Sequence, residues 1–462
     1  MADNARERRL FGTDGIRGRA NADLTPELAF RVGYCVVGML AAGTGKPRIL
    51  VGRDTRCSGE MLEAALSAGV AAAGGSVELL GIIPTPAVAL LTREWGADAG
   101  VVISASHNPV EDNGIKIFHS SGFKLPDEVE LRLEEAIAAE AAEVRERPQG
   151  SEVGRIRQVE DALQGYLEIL RRMVDLELDG CRLSLDCANG AAYRAAPLLF
   201  SSLGAEVFAH FSEPDGYNIN LGCGSTQPQR LQELVVRDGA DLGLAFDGDA
   251  DRLIAVDEQG NVLDGDVIMA ACAEHLLRSG RLAQGALVAT VMSNRGFHLA
   301  MRERGITVHQ AAVGDRYVLE EMLKRGLNLG GEQSGHIIFL DQSPTGDGLL
   351  TALHFLAAWR ESGEKASELG RRVPQFPQVL VNLPLPEGFS LQGHEELQRK
   401  LSMAEESLGE RGRVLVRLSG TEPLVRVMVE APTREEAEKL AGEIAAIIEN
   451  GCRARDPGDT GG

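Results

Sequence analysis

Three aspartates at alternate positions, Asp247, Asp249 and Asp251 in the run DGDADR, pose the first chemical question of this chain. On an extended loop alternate residues share one side. Two carboxylates about 4 Å apart repel by roughly 4 kcal/mol at an effective dielectric near 20, so three that converge call for a cation. Hard oxygen donors suit Mg²⁺ or Ca²⁺. Counting an EF-hand from Asp247 also puts Glu258 at a ligand position, but Arg252 stands where the sharp turn needs glycine and RLIAVD reads as a strand. Two readings stay open: a Mg²⁺ site that keeps one position for a substrate or phosphoryl oxygen, and a solvated acidic turn.

Four further runs carry groups of the right type. In ISASHNP a strand-like stretch ends in Ser104 and Ser106, followed by His107. Neighbours on an extended chain face opposite ways, which makes His107 a poor base for Ser106 and leaves the activation of that serine to other groups. Lys116, in DNGIK, follows closely enough to reach the serine loop. RLSGTEPLVRV offers Arg417, Ser419, Gly420, Thr421 and Arg426, where forked guanidinium donors, hydroxyls and a free amide suit phosphate oxygens. FGTDGIRG combines glycines with Thr13 and Arg17 in a weaker version of the same composition. GEQSGH supplies Glu332, Ser334 and His336 between glycines, a carboxylate and a hydroxyl suited to neighbouring sugar hydroxyls. The plain alternatives are a hairpin turn with solvated arginines and polar loops with a solvated lysine or histidine.

These runs sit at comparable places in a repeat. GADAGVVISASHN from Gly96 and GADLGLAFDGDAD from Gly239 align without a gap, matching Ser104 to Asp247, Ser106 to Asp249 and Asn108 to Asp251. A looser third copy, GLNLGGEQSGH, starts at Gly326. Each follows a helical segment and leads through an apolar strand into a polar loop. Strands alternating with helices predict an α/β fold of three related domains with mixed, mostly parallel sheets, and such sheets bind ligands at the carboxyl ends of their strands. The last segment differs: QVLVNLPL, GRVLVRLSG and LVRVMVEAPT alternate like antiparallel strands before an amphipathic helix, predicting a smaller C-terminal α+β domain around a central cleft. The expected domains are 1–155 with the serine loop, 156–258 with the acidic loop, 259–372 with the GEQSGH loop and 373–452 with the RLSGTEP loop. A polar, disordered tail is expected over 453–462, and a hinge near Pro374 and Pro377.

Composition narrows the partners. A net charge of −21 over 462 residues argues against nucleic acid and anionic membranes, while a local arginine cluster still permits an anionic small substrate. Seven scattered cysteines without a CxxC pair read as reduced thiols. The amino-terminal residues show charges and no apolar core of a signal peptide, and no run reads as a membrane span. The expectation is a soluble cytoplasmic protein.

Taken together, SASHNP, DGDADR, GEQSGH and RLSGTEP occur in order across nearly the whole chain, and the sequence resembles the α-D-phosphohexomutase family. Within it the chain is most like the bacterial members that act on an amino sugar, by FGTDGIRG, VGDRYVLEEM and GGEQSGHII. Ala250 stands where many members have glycine, and Gln333 and Leu418 occupy variable positions. The resemblance implies an intramolecular phosphotransferase that interconverts glucosamine 6-phosphate and glucosamine 1-phosphate through a 1,6-bisphosphate. Ser106 would react as a phosphoserine and contribute to one Mg²⁺ per chain through its phosphate, alongside Asp247, Asp249 and Asp251. Lys116 and His336 would be the proton carriers, Arg17 a catalytic cation and Arg316 an assisting one. Glu332 and Ser334 would hold the sugar, and Arg417, Ser419, Gly420, Thr421 and Arg426 the distal phosphate. A hexosamine 1,6-bisphosphate would prime the enzyme, with an activating kinase as the other source of phosphate. A homodimer through the first domain is the family-based expectation. The alternatives are a phosphomannomutase/phosphoglucomutase of the same mechanism and, more distantly, a non-catalytic sugar-phosphate sensor.

Overall fold

The computed structural model describes residues 10–12, 14–40, 46–140, 147–385, 394–418 and 424–453. Three mixed sheets repeat one plan. In the first, Arg48–Arg53 lies between Ser76–Ile82 and Ala99–Ile103, parallel to both, and Asp112–His119 runs antiparallel to Ala99–Ile103. The second places Arg182–Asp186 between Glu206–His210 and Leu242–Phe246, with Leu253–Asp257 antiparallel to the latter. The third places Ala286–Thr290 between Thr307–Ala311 and Leu329–Gly331, with Ile337–Phe339 antiparallel. The serine loop, the acidic loop and the GEQSGH loop are therefore the same connection in three copies, each leaving the carboxyl end of a parallel strand.

The repeat has a physical cause in its opening residues. Gly96, Gly239 and Gly326 end the preceding helices with φ of 62°, 59° and 65°, the left-handed backbone that favours glycine. Two positions on, Asp98 and Asp241 accept the backbone N–H of Arg48 and Arg182 at 2.7 and 2.8 Å, and Asn328 accepts that of Ala283 at 2.9 Å. The second glycine lets the helix close on the strand: a Cβ on Gly100, Gly243 or Gly330 would lie 2.2, 2.4 or 2.6 Å from Thr92, Val235 or Met322. One helix stop, one side-chain tie and one close approach thus define each copy, and the loose third match belongs to the repeat on all three counts.

The fourth sheet is antiparallel, with Leu424–Glu430 between Gln378–Pro384 and Arg413–Leu418, and the helix Arg434–Arg453 follows. Val425, Val427, Val429, Ile444 and Ile448 form its core, drawn from one face of the central strand and one stripe of that helix. Contacts divide the chain into two compact units, Met1–Met292 with Ile306–Arg371, and Ser293–Gly305 with Arg372–Gly462. The helix Arg295–Glu303 thus groups with the C-terminal sheet, which sequence order alone does not indicate. Two sheets also extend past the boundaries expected at 155 and 258: Ile156–Gln158 edges the first and Val262–Leu263 the second. The first of these strands is exposed along its length, so no apolar pattern marks it. Of the expected tail, Arg453 ends the helix Arg434–Arg453 and 454–462 lie outside the described residues. Among the described residues no helix is long and apolar enough to cross a membrane.

Candidate active site

The acidic loop turns rather than extends. Ala250 adopts a φ of 59° and its N–H bonds back to the Asp247 carbonyl at 3.0 Å, so the three carboxylates converge around a tight turn instead of sharing the side of a strand. Each offers one carboxylate oxygen that lies within 4.8 Å of those of the other two, and all three residues are buried. Burial, followed by the charges of Asp251 and Asp249, raises the Asp247 carboxyl well above the usual carboxylate range. Burial also acts to raise Asp251, but Lys116 first and His336 next hold it below that range. One oxygen each of Asp249 and Asp251 is buried without a hydrogen-bond partner. Buried orphan carboxylate oxygens are costly. The donor set fits a hard divalent cation, so the turn is suited to a metal ion.

The serine loop delivers Ser106 to this turn. Ser106 has a φ of 51°, and its Oγ donates to Asp247 Oδ2 at 2.6 Å. The left-handed turn also corrects the extended-chain expectation for His107: its Nδ1 lies 3.4 Å from Ser106 Oγ. Even so, burial, then the charges of Arg252 and Arg17, pushes His107 down to about 4. The arrangement is not a hydrolase triad, because the serine hydroxyl faces the acidic cluster.

Lys116 reaches past the serine to the acids, with Nζ 3.0 Å from Asp249 Oδ2 and 3.7 Å from Asp251 Oδ2. His336 Nδ1 lies 3.6 Å from Asp251 Oδ2. Lys116 also pairs with Asp14 at 3.0 Å, and Asp14 holds Arg17 at 2.5 Å. The sequence-predicted Ser106, Lys116, His336, Arg17 and three aspartates thus form one connected cluster. Glu332 accepts from the Gly314 N–H at 3.0 Å and from Ser334 Oγ at 3.4 Å, which ties the GEQSGH loop to the VGDRY turn. Arg316 is engaged elsewhere, by Asp127 and, at 2.9 Å, by Glu320. In the C-terminal unit Arg417 and Arg426 are directly opposed across the antiparallel ladder. Burial, then the charge of Arg426, lowers the Arg417 guanidinium. Like charges placed opposite one another are unfavourable without an anion. Ser419, Gly420 and Thr421 lie outside the described residues.

Residue typing alone missed several groups. Lys124 bridges Asp14 and Asp315, the latter at 2.5 Å. Thr85 Oγ1 donates to Asp249 Oδ2 at 2.7 Å. Asp54, Arg56 and Asn220 bond the serine loop from two neighbouring loops. The polar ends of GRDT and FGTDG were visible signals, but nothing in their spacing named a partner a hundred residues away.

Comparison with known proteins identifies the family of the chain. Sequence models of phosphoglucomutase/phosphomannomutase match in order: α/β/α domain I over residues 8–144, domain II over 164–260, domain III over 264–376 and the C-terminal domain over 380–447. The chain belongs to the phosphoglucomutase/phosphomannomutase family. It is 53% identical over 443 residues to the phosphoglucosamine mutase of Thermoanaerobacter sp. (strain X514), covering 96% of this chain and 99% of that protein. It is 54% identical over 439 residues to the phosphoglucosamine mutase of Moorella thermoacetica, covering 95% and 99%. Among solved structures, a phosphoglucomutase/phosphomannomutase family protein from Burkholderia thailandensis superposes with a TM-score of 0.77 at 26% identity, covering 96% of this chain and 98% of the other.

Proposed function

We propose that this chain is a phosphosugar mutase, an intramolecular phosphotransferase that interconverts glucosamine 6-phosphate and glucosamine 1-phosphate. The observation that carries the reading is the Ser106 hydroxyl, 2.6 Å from Asp247 within a buried cluster of three carboxylates suited to a divalent cation. The reaction starts from phospho-Ser106. Its phosphorus–Oγ bond breaks as a bond forms to a sugar hydroxyl oxygen, the hydroxyl proton leaves to a proton carrier, and Oγ recovers a proton. The resulting 1,6-bisphosphate turns over in the site, and Ser106 takes back the other phosphoryl group by the reverse exchange.

Phosphoryl transfer depends mainly on positioning and charge neutralisation. Asp247, Asp249 and Asp251, with an oxygen on Ser106, would hold Mg²⁺, which when bound neutralises the −1.5 to −2 charge expected of a phosphoserine at about neutral pH. Lys116 and His336 move the protons, and Arg17 steadies the transferring group. Glu332 and Ser334 take sugar hydroxyls, and Arg417, Ser419, Gly420, Thr421 and Arg426 take the distal phosphate. Arg316 joins them by exchanging an acidic partner for substrate. We also infer a cytoplasmic enzyme that acts as a homodimer and is primed by a sugar bisphosphate or a kinase.

The test compares turnover of glucosamine 6-phosphate, glucose 1-phosphate and mannose 1-phosphate, with Mg²⁺ and a bisphosphate primer. A preference for glucosamine above about tenfold, roughly 1.4 kcal/mol of transition-state discrimination, supports the assignment. Equal or faster turnover of glucose or mannose phosphate overturns it in favour of a phosphomannomutase/phosphoglucomutase.

A further inference from the structure

Ser106 occupies a backbone conformation that a non-glycine residue holds only when its surroundings over-determine it. The surroundings that do so form a clamp from two directions. From the loop that follows Arg48–Arg53, Arg56 Nη2 donates to the carbonyls of Ser106 and Asn108 at 3.0 and 2.8 Å, and its Nη1 donates to the Pro109 carbonyl at 2.5 Å. From the loop that follows Glu206–His210, Asn220 Nδ2 donates to the same two carbonyls at 2.9 and 3.1 Å. The carbonyls on either side of His107 thus each accept from both a guanidinium and an amide.

The opposite edge of the peptide is fixed as well. Ser106 N–H donates to Ser104 Oγ at 3.0 Å, and that hydroxyl donates to Asp54 Oδ2 at 2.6 Å. Asp54 closes the ring by accepting from Arg56 Nε at 2.9 Å, both side chains fully buried. Asn220 is itself set in place: its N–H bonds to the Ala188 carbonyl at 2.9 Å and its own φ is 58°. Two more bonds join the loops, Cys57 N–H to the Gly216 carbonyl at 2.9 Å and Thr55 Oγ1 to the Asn189 carbonyl at 2.6 Å. The acidic turn rests against the clamp, since a Cβ on Gly248 would lie 2.5 Å from the Ser106 carbonyl and 2.8 Å from Asn220 Nδ2.

We propose that Arg56 and Asn220 are positioning residues for phosphoryl transfer, which lock the left-handed turn at Ser106 and so hold its Oγ on the acidic cluster. The inference rests on Ser106 being the reacting residue. Asn220 carries the part that couples the two domains: it is the second domain's own grip on the serine loop of the first. Among the described residues neither bonds to a group assigned to the sugar or the distal phosphate, so the clamp should act on the chemical step and leave substrate affinity alone.

The discriminating variant is Asn220→Asp, which keeps the shape and the tolerance of left-handed backbone but replaces the amide donor with an oxygen facing two carbonyls. Three proteins are compared, wild type, Asn220→Asp and Ser106→Ala, by kcat and KM for glucosamine 6-phosphate and by the rate at which radiolabelled bisphosphate labels the enzyme. The expected result is a kcat and labelling rate for Asn220→Asp lower by about thirtyfold or more, as a displaced reacting atom produces, with KM changed less than about threefold. Wild-type labelling and turnover in Asn220→Asp, with Ser106→Ala unlabelled, overturns the clamp and leaves the Ser106 reading intact. Labelling and turnover retained in Ser106→Ala overturns both. If Asn220→Asp does not fold, Asn220→Gly removes the amide while allowing the same backbone, and its kcat and KM are read against the same thresholds.

Discussion

At the scale of single residues the site is a problem in charge. Three buried carboxylates share a turn with one close ammonium, Lys116, and two of their oxygens have no hydrogen-bond partner. Stripping divalent cations is therefore expected to abolish turnover, with recovery on adding Mg²⁺. Asp247→Asn should lower kcat by about a hundredfold or more, the usual consequence of removing one preorganised electrostatic group. A kcat within about threefold of wild type would count against a role for Asp247 in transfer. Much of this was legible in the sequence, because alternate aspartates, a serine before Pro109 and a lysine soon after are chemical types that periodicity does not require. The turn at Ala250 and the left-handed Ser106 were not legible, since both depend on tertiary contacts that override the local preference for extension. For the same reason His107 lies nearer to Ser106 Oγ than alternation along a strand suggests.

At the scale of elements the three loops are equivalent connections, and the glycines explain why they can meet. Gly248 is the point where the acidic turn touches the serine loop, with no room for a methyl group. Gly248→Ala should push the two loops apart by a fraction of an ångström or more and lower kcat by about ten- to a hundredfold, as measured by steady-state turnover, with the folded structure retained by circular dichroism. A wild-type kcat would mean that the loops need not approach so closely. The helix–glycine–strand opening made two copies of the repeat visible. The third was faint because Leu327 and Asn328 replace alanine and aspartate, although Asn328 makes a similar tie to Ala283, in the turn just before the neighbouring strand. Clamp residues such as Arg56 and Asn220 left no signature, because a lone arginine or asparagine in a loop looks solvated until the fold brings two carbonyls to it.

At the scale of the whole molecule, the division at Arg371 and Arg372 lies just before Pro374 and Pro377, where composition suggested a linker, whereas the grouping of Arg295–Glu303 with the C-terminal sheet is a packing outcome with no local signal. Stability should depend on pH in a definite direction. His354 stacks on Phe339 with ring centroids 4.0 Å apart, and its Nε2 lies 2.6 Å from Gln342 Oε1. Burial, then the charges of Arg281 and His275, lowers it to about 3. The unfolded chain takes up that proton below about 6.5 and the folded one does not, so this contribution to stability is lost as pH falls through the window from 6.5 towards 3. Between pH 7.5 and 5 the loss from this residue is about 2 kcal/mol. Urea unfolding of wild type and His354→Leu at the two pH values should show the smaller loss in the variant, and parallel curves would contradict the assignment.

The central claim is that Ser106 carries the phosphoryl group. The most direct measurement incubates the enzyme with radiolabelled glucose 1,6-bisphosphate and Mg²⁺, maps the labelled residue by mass spectrometry, and chases it with glucosamine 6-phosphate. The account predicts label on Ser106 alone, discharged into sugar bisphosphate at least as fast as kcat, and none in Ser106→Ala. Label on another residue, label that glucosamine 6-phosphate does not discharge, or turnover by Ser106→Ala within about tenfold of wild type (a barrier change of only about 1.4 kcal/mol) would contradict it.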